Sequence, residues 1–404
     1  MNSKLIDDTG GGISGNQESS ILDSILKLNS WLKENDYKGY EPFDGLSSYL
    51  RYLTLNMKLP QQLLIQFVLR CPINIRPILG IRPHRSTKGI GFVARGYLRL
   101  FKATSSDFYK IEAMRWLDWL VDNSIKDYSG YCWGNDFDYR TRGAFTPRNC
   151  PTAVWVSLIA HTFLDAYEIL GNRDYLEVAN SSCKFIVNDL PRERDGSGVC
   201  ISYLPTTQLS IHNSNMLAAS VLARTSQLTG NEEYMLLAQS AIAYSIKFQH
   251  QSGAWFYGED PKYHWIDNWH TAYTLDSLKW FLDSGGDNSY MDNLKKGFRY
   301  YIDKFFEKNG APKYFHNRIY PIDIQSCAQS IDTLCFFVDI EPESVQIANK
   351  VALWTINNMQ VETGYFYFRA HRYANVKIPM LHWGQGTMFG ALSHLYLIST
   401  GYSN

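Results

Sequence analysis

The sequence contains no uncharged apolar run approaching the roughly 20 residues needed to cross a bilayer. Ala153 to Leu164, among the longest, has twelve residues. Met1 to Glu18 is polar and glycine-rich and lacks an apolar leader core. Residues 1–18 are therefore expected to form a flexible tail ahead of one domain over 19–404. The seven cysteines are odd in number, scattered and free of any Cys-x-x-Cys pair. Neither a disulfide framework nor a thiolate metal site is expected, no cofactor is implied, and a reducing cytoplasm is the simplest location. With 45% hydrophobic residues, disorder is excluded for most of the chain.

Acidic residues are absent from one long stretch. The whole chain balances 39 Lys+Arg against 39 Asp+Glu, yet no Asp or Glu lies between Gly45 and Ser106. That stretch holds Arg51, Lys58, Arg70, Arg76, Arg82, Arg85, Lys88, Arg95, Arg99 and Lys102, a local charge of +10. The remainder then carries 39 − 10 = 29 basic against 39 acidic residues, or −10. One reading packs this basic segment, 45–106, on the acidic remainder of the same chain. The other gives it an anionic partner, either an acidic glycan, a sugar phosphate or a membrane surface met through Leu59–Leu69 and Cys71–Pro83. No nucleic-acid signature accompanies the charge, so nucleic acid is not expected.

What the chain has in quantity is a repeat. Gly171-Asn-Arg-Asp-Tyr175, Gly230-Asn-Glu-Glu-Tyr234 and Gly286-Asp-Asn-Ser-Tyr290 share one recipe. In each, glycine can end one helix and the following polar residue can cap the next. A second mark follows each hairpin: Gly130-Tyr-Cys-Trp, Gly198-Val-Cys-Ile, Gly253-Ala-Trp-Phe-Tyr, Gly310-Ala-Pro-Lys-Tyr and Gly364-Tyr-Phe-Tyr. A third opens each new helix, at Gly89, Pro151, His212, Asp267, Asp323 and Trp383, in steps of 62, 61, 55, 56 and 60 residues. Ala153–Tyr167 is apolar on nearly every face, whereas Asn293–Phe306 carries one stripe of Leu294, Phe298, Tyr301, Ile302 and Phe305. Buried and amphipathic helices alternating six times predict an all-α, single (α/α)6 toroid, a six-hairpin barrel with short β-like loops at one mouth. The early helix Ser20–Lys33 is expected to pair with Gly384–Ile398 and close the ring.

In that fold the loops feeding the inner helices share one mouth. They deliver Trp133, Asp136, Asp138, Arg140 and Arg142, then Tyr203, His212, Asn213 and Asn215. The third loop brings Trp255, Tyr257, Glu259, Tyr263, Trp265, Asp267, Trp269 and His270. The last two bring Tyr314, Tyr320, Asp323, Gln325, Tyr367, Arg369, Arg372, His382, Trp383 and Gln385. Aromatic planes interleaved with amide, carboxylate and guanidinium groups suit a sugar, whose ring offers C–H faces and hydroxyls. Asp267, Asp323 and Asn213 have an ordinary alternative as helix caps, and the tryptophans as core. Capping does not explain His, Gln, Trp and Asn crowding one phase of the repeat.

The first expectation is a glycosidase-like hydrolase acting on an oligo- or polysaccharide, which needs two carboxyl groups about the scissile bond. Asp138 and Asp267 are the first choices and Asp323 the reserve. Epimerisation or elimination at a sugar acid needs a base and an acid, for which His270, His212 or a loop tyrosine could serve beside Arg140, Arg142 or Arg369. A non-catalytic glycan-binding scaffold fits the same residues. Gln249-His-Gln-Ser-Gly-Ala-Trp255 resembles an element of terpene cyclases, but no Asp-x-Asp-Asp motif accompanies it.

Taken together, Cys132-Trp-Gly-Asn-Asp-Phe-Asp-Tyr139, Pro151-Thr-Ala-Val154, His212-Asn-Ser-Asn215, Trp265-Ile-Asp-Asn-Trp-His-Thr271, Tyr320-Pro-Ile-Asp323 and Trp383-Gly-Gln-Gly386 resemble a family of six-hairpin toroids. These are encoded in surface-polysaccharide gene clusters, and the resemblance spans Ser86 to the C-terminus. More remotely the chain is similar to six-hairpin glycosidases and N-acylglucosamine 2-epimerases. The resemblance implies polysaccharide biosynthesis or modification. Its implied partner is an oligo- or polysaccharide, or a sugar-phosphate or lipid-linked precursor.

Overall fold

The computed structural model describes residues 15–141 and 143–401. In chain order its helices are α1 (Gly15–Glu34), α2 (Lys58–Arg70), α3 (Thr87–Thr104), α4 (Asp107–Asp122), α5 (Ala153–Leu170), α6 (Arg173–Asn188) and α7 (His212–Thr229). There follow α8 (Glu232–Lys247), α9 (Asn268–Asp283), α10 (Met291–Phe305), α11 (Ile324–Phe336), α12 (Ser344–Met359) and α13 (Thr387–Ser399). The short strands β1 (Tyr139–Arg140) and β2 (Phe145–Thr146) form one antiparallel pair, and β3 (Arg192–Arg194) and β4 (Val199–Ile201) a second. The strands β5 (Ile322–Asp323), β6 (Arg369–Ala370) and β7 (Asn375–Val376) form a three-stranded ribbon. Of the tail expected over 1–18, residues 15–18 belong to α1 and 1–14 lie outside the described residues.

The odd-numbered helices from α3 to α13 form the inner ring. Each packs on the next, and α13 packs back on α3. Local chemistry starts and stops them as the repeat predicts. Thr152 caps α5 by accepting from the Trp155 N–H, and Asp267 caps α9 by accepting from the His270 N–H. Gly171 and Gly230 end α5 and α7 at φ +71° and +75°, left-handed positions that cost a side-chain-bearing residue about 1–2 kcal/mol. Asn172 and Asn231 then cap α6 and α8. Burial follows the expected alternation. Helix α5 is buried on all sides, and α10 buries Leu294, Phe298, Tyr301 and Phe305 along one stripe. Among the described residues α5 is also the only helix long and apolar enough to cross a membrane, and 72% of it is buried inside the ring.

The outer ring is α4, α6, α8, α10, α12 and, as its sixth member, α1. The glycine marks show why. A Cβ on Gly130 would strike the backbone of Ser181 in α6, and one on Gly198 that of Ser240 in α8. Gly253, Gly310 and Gly364 stand in the same relation to Lys296 in α10, Lys350 in α12 and Lys27 in α1. Each loop thus packs edge-on against the next outer helix, and the fifth reaches round to the first. Helix α1 also packs on α13, as the closure of the ring requires.

The axis of the ring holds charge as well as hydrocarbon. Arg95 and Arg99 from α3 meet Asp165 of α5 at 2.6 Å and Asp332 of α11 at 2.6 Å, respectively. Arg224 of α7 bonds Asp165 at 2.9 Å, and His394 of α13 bonds Asp332 at 2.7 Å. Burial alone would raise both carboxyls, but the arginines outweigh it and hold them well below the usual carboxylate range. Part of the basic excess of 45–106 is therefore answered inside the chain itself, as it is where Arg76 pairs with buried Asp44 at 2.8 Å.

Gly364 sits at φ +101°, with a would-be Cβ 2.2 Å from the Lys27 carbonyl oxygen. Backbone strain and the clash together predict that Gly364→Ala destabilises the fold by roughly 2–4 kcal/mol. Urea unfolding of the variant measures this, and a loss under about 0.5 kcal/mol would mean that α1 does not close the ring as described.

Candidate functional site

The N-termini of the six parallel inner helices meet at one mouth, where a cavity of about 890 Å³ opens. It lies between the loops before α5, α7, α9 and α13 and the acid-free segment that contains α2. Trp155, Tyr203, Tyr257, Trp265, Trp269, Tyr314 and Trp383 give it ring-bearing walls, and Arg70, Arg140 and Arg318 give it cations. Six helix N-termini add positive potential at the same end.

The acidic side chains lining the cavity are Glu41 and Asp267, and each is bonded to a histidine. As the cap of α9, Asp267 is held by the His270 N–H at 3.1 Å and by the indole N–H of Trp265 at 2.8 Å. Its Oδ2 also lies 2.7 Å from His270 Nδ1. The Trp269 indole N–H donates to His270 Nε2 at 3.1 Å. An indole can only donate, so Nε2 is the acceptor and the ring proton sits on Nδ1, facing Asp267. The second pair joins the two ends of the chain. Glu41 accepts from the His382 backbone N–H at 3.1 Å, and its other carboxylate oxygen contacts His382 Nδ1. His382 Nε2 is buried without a hydrogen-bond partner among the described residues. Burial is the chief cause that lowers the proton affinity of this imidazole below its ordinary value, against the opposing pull of Glu41. Between the two imidazoles, Trp269 and Trp383 meet edge to face at 5.7 Å.

His382, Trp383 and Gln385 occupy a single π-helical turn, Leu381–Gly386, that runs into α13. The wider turn replaces the start of the α-helix expected from Gly384. Behind His382, Trp155 packs on its ring at 4.8 Å, and Lys88 Nζ lies 4.9 Å over the Trp155 ring. Lys88 Nζ also lies within 5.8 Å of the Tyr273 ring centre, and no carboxylate pairs with it among the described residues. Burial pulls its pKa down to about 7.

The cavity wall contains Asp267, His270, Arg140, Tyr203, Tyr257, Tyr263, Trp265, Trp269, Tyr314, His382 and Trp383 from the sequence-derived set. Arg140 is fixed by Gln61 Oε1 at 2.6 Å and stands over Phe145. The other candidates stand elsewhere. Asp138 is tied to Arg51 at 2.7 Å and to the Arg148 N–H at 2.6 Å, off the wall. Asp323 is fully buried, bonded to Arg369 at 2.6 Å and to the Trp383 indole at 3.0 Å, and so braces the wall from behind. Burial raises its carboxyl despite Arg369. Trp133 is core, stacked with Phe163 and donating to the Leu120 carbonyl. His212 bridges Ser245 and Glu259, beside the cavity.

Asn215 fastens β4 to α8 by accepting from the Ile201 N–H and donating to the Ala241 carbonyl. Gln385 makes the same two-way bond to the backbone of Phe366. Gln325 donates to the Tyr273 hydroxyl at 3.3 Å, and Asn213 borders a small cleft beside His270. Arg142 lies outside the described residues. Sequence reasoning missed Glu41, Trp155 and the ring-lined environment of Lys88. Trp155 and Lys88 do stand at the helix-opening phase of the repeat, a usable signal, whereas Glu41 precedes the first repeat and carries none. Among the described residues no group of three His, Cys, Asp or Glu side chains could hold a metal ion.

No family model matches the chain, and no curated protein matches it in sequence. Solved structures do resemble it. A sugar epimerase from a ruminal bacterium aligns at a TM-score of 0.58 and 12% identity, over 80% of this chain and 91% of that one. The GH76 α-mannanase of Bacteroides thetaiotaomicron aligns at 0.57 and 13%, over 78% and 85%. A polysaccharide lyase aligns at 0.59 and 10%, over 96% and 99%. At such identities the likeness establishes the (α/α)6 fold.

The buried lysine makes a prediction. Between about pH 7 and about 10.4 the unfolded chain holds a proton on Lys88 that the folded chain has released. Folding stability therefore rises with pH across that window. Lys88→Met removes this contribution, so the stability of the wild type relative to the variant should grow by up to about 1.4 kcal/mol per pH unit. Urea titrations at pH 7 to 10 measure the gap, and a constant gap would mean that Lys88 is not held in the dry ring cage.

Proposed function

We propose that this chain is a carbohydrate-active enzyme that moves a proton at a carbon next to a carbonyl group, with His382 and His270 as its acid–base pair. The reading is carried by one observation: both carboxylates in the cavity wall are spent on orienting imidazoles. A glycosidase needs two carboxyl groups free to face the scissile bond. The Asp138–Asp267 pair, favoured on sequence, has less support because Asp138 is held by Arg51 away from the cavity. The structural likeness to a sugar epimerase and a polysaccharide lyase adds to the proton-transfer reading.

In this account His382 is the base. Its unpartnered Nε2 takes the carbon-bound proton, and the electron pair left behind moves onto the carbonyl oxygen. His270 Nε2 takes up a proton from solvent and delivers it to the opposite face, Asp267 stabilising the imidazolium through Nδ1, and His382 then gives the abstracted proton back to solvent. For this, substrate displaces the Trp269 N–H from His270 Nε2. Trp265 and Trp383 offer faces for the sugar ring, and Arg140 and Arg318 offer donors to a carboxylate or phosphate on it. The resemblance to surface-polysaccharide toroids supports a saccharide of such a polymer, or its phosphate- or lipid-linked precursor, as the partner. The buried cysteines, with no disulfide among the described residues, support a cytoplasmic setting.

Reducing hexoses, N-acetylhexosamines and uronic acids incubated with the protein in D₂O should include one that gains deuterium beside its carbonyl carbon. His270→Asn and His382→Asn should each slow that exchange by about 100-fold or more with the fold intact. Because His382 works in its neutral form and burial lowers its proton affinity, the acid-side loss of activity should come only as pH falls below about 6.5, with a separate loss at higher pH as His270 gives up its imidazolium proton. Cleaved glycosidic bonds without exchange, or undiminished exchange in both variants, would sink the reading.

A further inference from the structure

The described residues leave eighteen large apolar side chains exposed, and ten of them fall between Tyr49 and Ile78. That concentration is not the scatter normal for a surface. Helix α2 buries Ile65 and Val68 against the ring, yet its outer face presents Leu59, Leu63 and Phe67, each 58–65% exposed. The 3₁₀ turn before it, Tyr49–Thr54, and the residue after that turn add Tyr52, Leu53 and Leu55 at 76–80%. The loop after α2 adds Ile73 and Ile78. The only charges the segment contributes are positive. Lys58, Arg70 and Arg82 are exposed and make no ion pair among the described residues. The third edge of α2 faces inward, where Gln62, Gln66 and Arg70 line the mouth of the cavity.

We infer that this face docks on an anionic lipid bilayer, with α2 lying in the interface and the cavity mouth held at the headgroup layer. Apolar side chains flanked by cations on an in-plane helix are what such a surface takes up. A second copy of the chain fits less well. A two-fold contact would set Lys58, Arg70 and Arg82 against their own equivalents, with no acidic residue in the segment to answer them. Since the docking helix also walls the cavity, the sugar that enters is one carried at the membrane on a phosphate-bearing lipid, with Arg70 at the place where its anion passes. The docking stands on the surface alone, and only this choice of substrate rests on the proposed function.

The test is co-sedimentation of the full chain with vesicles of phosphatidylcholine alone or mixed with phosphatidylglycerol. Binding is expected to the mixed vesicles, and it should weaken at least tenfold at high salt. Leu63→Gln with Phe67→Gln should weaken it at least tenfold, with the circular dichroism and melting temperature of the wild type retained. Leu236→Gln, exposed outside this segment, should change nothing. His382→Asn should still bind, which separates failure of the docking from failure of the chemistry. No sedimentation with mixed vesicles, equal binding to phosphatidylcholine alone, or unchanged binding by the double variant would overturn the inference. So would a dimer in solution that the double variant splits.

Discussion

The ring closes where the start of the chain meets its end, and the site exists only because it does. Gly364 lets the last loop lie against the backbone of Lys27, which places α1 in the sixth outer position. The segment that follows α1 then runs over the mouth and brings Glu41 to His382, 341 residues away in sequence. An open ring would leave His382 without its carboxylate and the cavity without one wall. The buried charges on the axis serve the same closure. Asp332 gathers Arg99 and His394 from α3 and α13, the first and last inner helices. Removing one member of such a cluster leaves an uncompensated buried charge, typically at a cost of about 3–5 kcal/mol.

The basic excess of the early segment includes two groups with different physics. Arg76, Arg95 and Arg99 are buried and paired with carboxylates of their own chain. Lys58, Arg70 and Arg82 remain outside among exposed apolar groups. Net charge over a segment cannot distinguish them, because it does not say which side of an element each side chain takes.

The architecture was legible in the sequence because its signals are local and repeated. Gly171 and Gly230 with Asn172 and Asn231 are cap chemistry that acts within one turn. Asp267 with His270 was legible for the same reason, since a cap and a residue three positions on necessarily meet. What misled was phase used as a proxy for exposure. Trp133 falls at the right phase but turns inward onto Phe163. Asn215 and Gln385 also fall there, but their amides are consumed by backbone groups of neighbouring loops. Asp138 escapes the cavity because Arg51, from outside the repeat, reaches it first. The π-helical turn at Leu381–Gly386 and the contact of Glu41 arise from ring closure, and no window of sequence contains them.

The most direct measurement is a crystal structure of the protein soaked with a reduced disaccharide, which presents the open-chain hydroxyls but cannot turn over. The account predicts a sugar carbon lying between His270 Nε2 and His382 Nε2, with Trp265 or Trp383 against the ring. A sugar bound with both imidazoles out of reach, or seated against Asp138, would contradict it.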